Sequence, residues 1–298
     1  MPGERPAVPP ALGVALAVLS VSFAAPLFRL ADAPALTASF WRLALAIVLL
    51  LPFTRGAWGA WRRYRAADWG LLALAGLSLA AHFGLWVTSL FMTSVAASTS
   101  LVTLQAVFVA LGGHWILGDR LARAAWAGVA LATAGVLLIT LGDGGWGSAS
   151  RRALLGDLVA LAAGLGSAAY FLVGRRLRAT RGLVEYVTPV YAFAALALLL
   201  ALPFAGQPVA TGFSSRAFLF FVLLAAVPML GGHTVANWCL RYLPAHTVAT
   251  WILLEPVGAA LLAWPMLGEV PGPWTAAGGA LVLAGAAMTV PREAKPAG

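Results

Sequence analysis

Two ionisable side chains stand inside apolar runs of this 298-residue chain: Glu255 in LLEPV and Arg42 in FWRLALA. A charge at the centre of a bilayer costs roughly 2.5–3.5 kcal/mol on insertion scales, so each residue needs a reason to be there. Pro256 follows Glu255 directly. Proline removes a backbone N–H and frees the carbonyl one turn back, which kinks a helix and exposes a polar main-chain group. An acid beside a freed carbonyl could bind a proton, a cation or an ammonium group. A protonated Glu255 bonded to a neighbouring helix would serve packing alone, and the residue types leave both readings open. Arg42 could meet a carboxylate, pair with a buried acid, or snorkel toward the surface.

Two further pairs are spaced one helical turn apart, His82 with Trp86 and His233 with Asn237, so each pair shares one helix face. A histidine facing a wet cavity can hydrogen-bond a solute or titrate near neutral pH, while the same side chain between helices acts as packing glue. Recurrence of the pattern favours cavity lining. Thr99, Thr103 and Gln105 follow in one run, and Thr247, Thr250 and Trp251 in another. Small hydroxyl residues in mid-helix are commonly packing contacts. Gln105 carries more weight because it occupies the position equivalent to Glu255 in the internal repeat described below. Trp41, Tyr170, Tyr191 and Trp251 are candidates for an aromatic wall. No His/Cys/Asp/Glu grouping has metal-ligand spacing, and no nucleophile–base arrangement is recognisable, so neither a metal, a cofactor nor a catalytic residue is expected.

The elements that must position these residues are membrane helices. Apolar residues make up 61% of the chain and charged ones 10%, and mean hydropathy is +0.90; a soluble domain is excluded on those values. Ten runs are long enough to span a bilayer: about 11–30, 34–53, 69–91, 94–117, 122–142, 154–174, 184–204, 216–240, 245–267 and 273–290. With a cytoplasmic N-terminus, 14 of the 19 basic residues fall on cytoplasmic segments, among them Arg62, Arg63, Arg65, Arg175, Arg176, Arg178 and Arg181. This is the positive-inside pattern, and it turns the net charge of +9 into a topology signal rather than a nucleic-acid footprint. Cys239 is the single cysteine, so no disulfide forms within the chain. LADA at 30–33 resembles a signal-peptidase site, but the apolar stretch before it is long and the segment is read as a retained span.

The chain repeats itself at an offset of 150. Between Leu104 and Gly135, 12 of 32 positions match the residue 150 further on, including Gly118 with Gly268, Gly128 with Gly278 and Gly135 with Gly285. LLLPF at 49–53 and LALPF at 200–204 extend the match, and the two histidines are offset by 151. Five spans per half is an odd number, so the second half must enter the membrane upside down. The expected fold is therefore all-α and membrane-integral, ten helices in two inverted five-helix repeats (residues 1–142 and 154–298) around a central cavity. Residues 143–153 join the halves. Gly142, Gly144 and Gly147 have GxGxxG spacing, but no strand or βαβ unit surrounds them, and they are read as linker.

These residues resemble the EamA type of the drug/metabolite transporter superfamily. The resemblance covers about residues 11–290 and is carried by the doubled five-span plan, the central Arg42, the acids of LGD at 117–119 and LGE at 267–269, and Glu255-Pro256. Ala106 stands where that family usually has proline, so a weaker kink or none is expected in the fourth span. The resemblance implies a basket of helices around a cavity lined by spans 1, 3, 4, 6, 8 and 9. It also implies a secondary transporter in the inner (plasma) membrane with both termini cytoplasmic, exporting neutral or aromatic amino acids, or similar amphipathic metabolites, by alternating access. Expected partners are that solute, protons and lipid, with no nucleic acid, and a monomer suffices. Proton-coupled efflux of lipophilic cations is the alternative. An intramembrane enzyme or sensor is disfavoured by the absence of a catalytic constellation. On this reading His82, Trp86, Thr99, Thr103, Gln105, Tyr170, His233, Asn237 and Trp251 line the cavity, and Glu255, Pro256 and Arg42 couple or gate.

Overall fold

The computed structural model describes residues 6, 8–93, 95–119, 121–142 and 150–290. The expected GxGxxG segment and the basic residues Arg5, Arg120, Arg292 and Lys295 lie wholly or mainly outside them. The described residues form helices joined by turns and loops and contain no strand. Eight helical stretches are long and apolar enough to cross a membrane: Pro10–Ala31, Ala35–Trp61, Ala66–Leu90, Ala97–Ile116, Arg151–Arg178, Leu183–Ala201, Ser215–Cys239 and Ala245–Leu267. The fifth helix, Arg123–Gly142, and the tenth, Pro273–Thr289, occupy the places of the two remaining expected passes, with shorter apolar stretches.

Three of these helices break at proline, the ninth as expected from Pro256 and the first and eighth in addition. A proline nitrogen cannot serve the carbonyl four residues before it, and its ring presses on that carbonyl. The first helix runs as Pro10–Ser22, ending four residues before Pro26, and resumes at Ala24. The α-helical start of the eighth ends at Leu224, four before Pro228. The ninth breaks after Ile252, four before Pro256. In the eighth helix the chain then passes through a ten-residue π segment, Ala225–Thr234, a wider winding that accommodates the proline and ends beside His233.

The fourth helix breaks too, against expectation. Val95–Thr103 stops, Leu104 turns, and Gln105–Ile116 begins, although position 106 is alanine. Local hydrogen bonds replace the proline: Leu104 N–H donates to Leu101 O at 3.3 Å, Val107 N–H to Leu104 O at 3.0 Å, and Thr103 Oγ1 to Ser100 O at 2.9 Å. A hydroxyl that takes a main-chain carbonyl competes with the helix ladder. The break lies 150 residues before Leu254, and the new segments start at Gln105 and Glu255.

Packing follows an exchange rule. The third helix packs on the sixth and the first on the eighth; the fourth packs on the sixth and the first on the ninth; the third packs on the seventh and the second on the eighth. The second with seventh, fourth with ninth and fifth with tenth pairs map onto themselves when the halves are exchanged. The fifth and tenth helices approach closest through glycine. A Cβ built on Gly135 would lie 2.5 Å from Gly278 O, and one on Gly128 would lie 2.5 Å from Gly285 O. Without Cβ atoms the two backbones meet directly, the device that small residues give membrane helices.

The acids of LGD and LGE owe their position to helix termination. Gly118 and Gly268 adopt left-handed φ of +72° and +76°. Asp119 N–H then donates to Gly113 O at 2.9 Å and Glu269 N–H to Ala263 O at 3.3 Å. Each bond reaches six residues back, one more than the six-to-one bond of a Schellman motif, and the left-handed glycine is what turns the following residue's N–H back onto the helix end.

Candidate functional site

The breaks in the first, fourth, eighth and ninth helices converge on one small enclosed cavity. It is lined by Val21, Ala24, His82, Trp86, Val102, Gln105, Phe171, His233, Ala236, Ile252 and Glu255. Six of these eleven fall into three pairs related by the repeat: Val102 with Ile252 and Gln105 with Glu255 at an offset of 150, and His82 with His233 at 151. The repeat read from glycines in the sequence therefore also relates the polar part of the cavity wall. Its volume is about 20 Å³, room for about one water against the ~300–1,000 Å³ of sites that hold drug-sized ligands. Any larger occupant requires the helices to part.

The histidines occupy the centre, with ring centroids 6.1 Å apart. His82 Nδ1 donates to Ala163 O at 3.2 Å, which leaves Nε2 for the cavity, and its ring lies parallel to Trp86 at 6.0 Å. Tyr170 and Asn237 stand one layer behind His233: Asn237 Nδ2 donates to Tyr170 OH and, at 2.6 Å, to His233 O. They orient the histidine segment rather than line the cavity. Tyr191 OH pairs with Thr234 Oγ1 at 2.8 Å on the same π segment.

Arg42 is fully buried, and none of its three guanidinium nitrogens has a hydrogen-bond partner in the protein. Its guanidinium lies 4.2 Å from the Phe83 ring centroid and 5.7 Å from that of Phe28. Phe28 in turn meets Trp86 edge-on at 5.9 Å, and Phe83 meets His233 at 5.1 Å. The cation is thus one aromatic layer behind the cavity. Glu255 is the acid that interacts with it electrostatically, but the two do not form an ion pair within 4.0 Å.

Of the residues expected from sequence to line a cavity, His82, Trp86, Gln105, His233 and Glu255 meet there. Thr99 and Thr103 instead direct their hydroxyls to Val95 O and Ser100 O of their own helix. Trp251 and Pro256 lie outside the cavity lining. Trp41 is remote from it, stacked at 6.4 Å on Phe221 and donating to Val209 O at 2.8 Å. The apolar wall (Val21, Val102, Phe171 and Ile252) has no distinguishing type in a chain this apolar.

Both ends of the bundle are tied shut. At one, Arg181 pairs with Asp68 at 2.7 Å and lies over Tyr64 at 4.4 Å, while Trp61 Nε1 and Tyr64 OH donate to Glu185 O and Oε2 at 3.0 and 3.2 Å. Arg178 Nε donates to Asn237 O at 3.0 Å and Arg175 to Leu240 O at 2.6 Å. At the other end Gln207 Oε1 accepts from Leu36 N–H at 2.9 Å, Thr37 Oγ1 donates to Pro208 O at 2.8 Å, and Arg152 donates to Phe91 O at 3.1 Å. The loop after the second helix clamps the start of the seventh, and the loop after the seventh clamps the start of the second.

A chain of ten broken and unbroken apolar helices around a small polar cavity has the architecture of a membrane carrier. The sequence profile of the EamA-like transporter family matches residues 9–141 and again 154–290, and the chain belongs to that family. It is 28% identical over 270 residues to an uncharacterized transporter of Archaeoglobus fulgidus, covering 86% of this chain and 87% of that one. It is 30% identical over 220 residues to a riboflavin transporter of Rhizobium johnstonii, covering 72% and 68%. A crystal structure 23% identical in sequence superposes with a TM-score of 0.71 over 94% of this chain and 95% of that one, which establishes the likeness of fold.

Proposed function

We propose that this membrane transporter exports small amphipathic metabolites, in the first place neutral aromatic amino acids, by alternating access between two inverted halves. The observation that carries the reading is the cavity wall with three repeat-related pairs, His82 with His233, Val102 with Ile252 and Gln105 with Glu255, set where helices break. Inverted repeats place a binding site near the midplane at their interface, and exchange of the two halves' conformations opens that site to one side and then the other. The double match of the family profile, the exchange rule in the helix packing and the reciprocal loop clamps support the same two-fold plan. Basic residues concentrated on one set of loops support cytoplasmic termini. Parallel Trp86 and His82 rings, with Phe171 also in the lining, give the cavity aromatic surface suited to a flat ring.

The test is flux. Purified protein in liposomes is expected to move labelled phenylalanine, tyrosine or tryptophan above protein-free controls; no flux across a broad amino-acid panel would overturn the substrate reading. Imposing a pH gradient tests whether Glu255 couples the movement to protons. A second reading, a flavin or another heteroaromatic ring, is favoured by the relative that transports riboflavin. Riboflavin flux in the same liposomes separates the two.

A further inference from the structure

The polar groups around the cavity divide into two kinds. Glu255 and Gln105 offer acceptor oxygens, and Gln105 Oε1 has no donor from the protein although the residue is only 4% exposed. Trp86 Nε1–H is a donor without an acceptor, on a residue only 2% exposed. Behind Trp86, across Phe28, stands Arg42 with every guanidinium nitrogen unpartnered and no acid within ion-pairing distance. Arg42 keeps its charge at any physiological pH. Aromatic faces attract a guanidinium but accept no strong hydrogen bond from it. A buried charge with no directly paired counter-charge is costly in a low dielectric, and the same low dielectric carries its field into the adjoining space.

We propose that Arg42 sets the sign of the charge this cavity admits. The carried molecule must bear a carboxylate or an equivalent anionic group, which lies toward Arg42 and Trp86. Its ammonium or other donor lies toward Glu255 and Gln105. The inference rests on the carrier reading above and states which part of the solute is indispensable. Molecules whose only charge is positive are refused, because the nearby fixed cation repels them before Glu255 can receive them.

The experiment uses whole protein in lipid nanodiscs and two ligand sets, one with an indole ring and one with a phenyl ring. Each set contains the amino acid, its decarboxylated amine and its deaminated acid, and binding is read from tryptophan emission. The wild-type protein is expected to bind the amino acid and the acid at least about tenfold tighter than the amine. Arg42→Gln is expected to weaken the two carboxylate ligands by about tenfold to a hundredfold and to leave the amine unchanged or tighter. Arg42→Lys, which keeps the charge, retains the preference. Amines that bind the wild type as tightly as the amino acids overturn the inference and leave the carrier reading standing; this comparison needs no variant to fold. Absence of both binding and flux for all six ligands overturns both.

Discussion

The contact between the fifth and tenth helices can be tested by adding one methyl group. A Cβ on Gly135 would sit 2.5 Å from Gly278 O and 2.9 Å from both the backbone nitrogen and Cγ2 of Val282. Two of these three obstacles are main chain, so relief comes only if the helices part by about half an ångström. Overpacking of this kind costs ~1–3 kcal/mol. The intrinsic preference of helices for alanine over glycine returns ~1 kcal/mol. Gly135→Ala should therefore destabilise by up to ~2 kcal/mol. Gly70, exposed on the third helix, has nothing within 4 Å of its would-be Cβ, so Gly70→Ala should stabilise by up to ~1 kcal/mol. Gly285, equivalent to Gly135 by the repeat, faces Ala132 N at 2.6 Å and should behave as Gly135 does. Reversible unfolding in mixed micelles measures all three variants. If Gly135→Ala proves as stable as Gly70→Ala, the direct backbone contact does not exist and the packing argument fails. If Gly135→Ala and Gly285→Ala differ by more than ~1 kcal/mol, the two-fold relation at this contact is wrong.

Three other outcomes are expected. Arg178 ties the sixth helix to Asn237 O beside Cys239, the single and fully buried cysteine, so Arg178→Gln should raise the rate at which a maleimide labels Cys239; an unchanged rate would mean the clamp does not hold that end. Because the fourth helix is already broken at Leu104, Ala106→Pro falls in the first turn of the new segment and should cost well below the ~3 kcal/mol of an interior proline. Val109→Pro, one turn further on, should cost the full amount, and equal losses in thermal stability would contradict the assignment. Burial and the neighbouring Glu185 carboxylate push the Tyr64 phenol up to about 12. Its folded value thus exceeds the unfolded one of about 10, so its stabilising contribution is complete below about pH 10 and is lost as pH rises through about 12. Phenolate absorbance of wild type minus Tyr64→Phe should rise only near the upper limit of that window.

Helix number and most helix ends were legible because hydrophobic length is a bulk property of the sequence. The break before Pro256 was read from the sequence; those before Pro26 and Pro228 carry the same signal, a proline that removes a specific N–H, and were not. The break at Leu104 carries no such signal. It arises from hydroxyl and short-range backbone bonds whose choice over the regular ladder depends on the surrounding helices. Glu255, Gln105 and the two histidines could be picked out because polar residues are rare in this chain. Phe28 and Phe83, which cradle Arg42, could not, because nothing about an aromatic residue among many apolar ones marks it. Thr99 and Thr103 misled for the opposite reason: a polar type suggests a site, while a hydroxyl one turn from a carbonyl is satisfied within its own helix.

The proline-broken helices have an evolutionary consequence. Pro26, Pro228 and Pro256 withhold their N–H from the carbonyls of Ser22, Leu224 and Ile252, and main-chain oxygens cannot be mutated away. The helix breaks around the cavity are thereby inherited with the fold, and the side chains on its wall are free to drift. Descendants of one such ancestor could change cargo through a handful of substitutions at the wall without having to rediscover how to carry a polar molecule through oil.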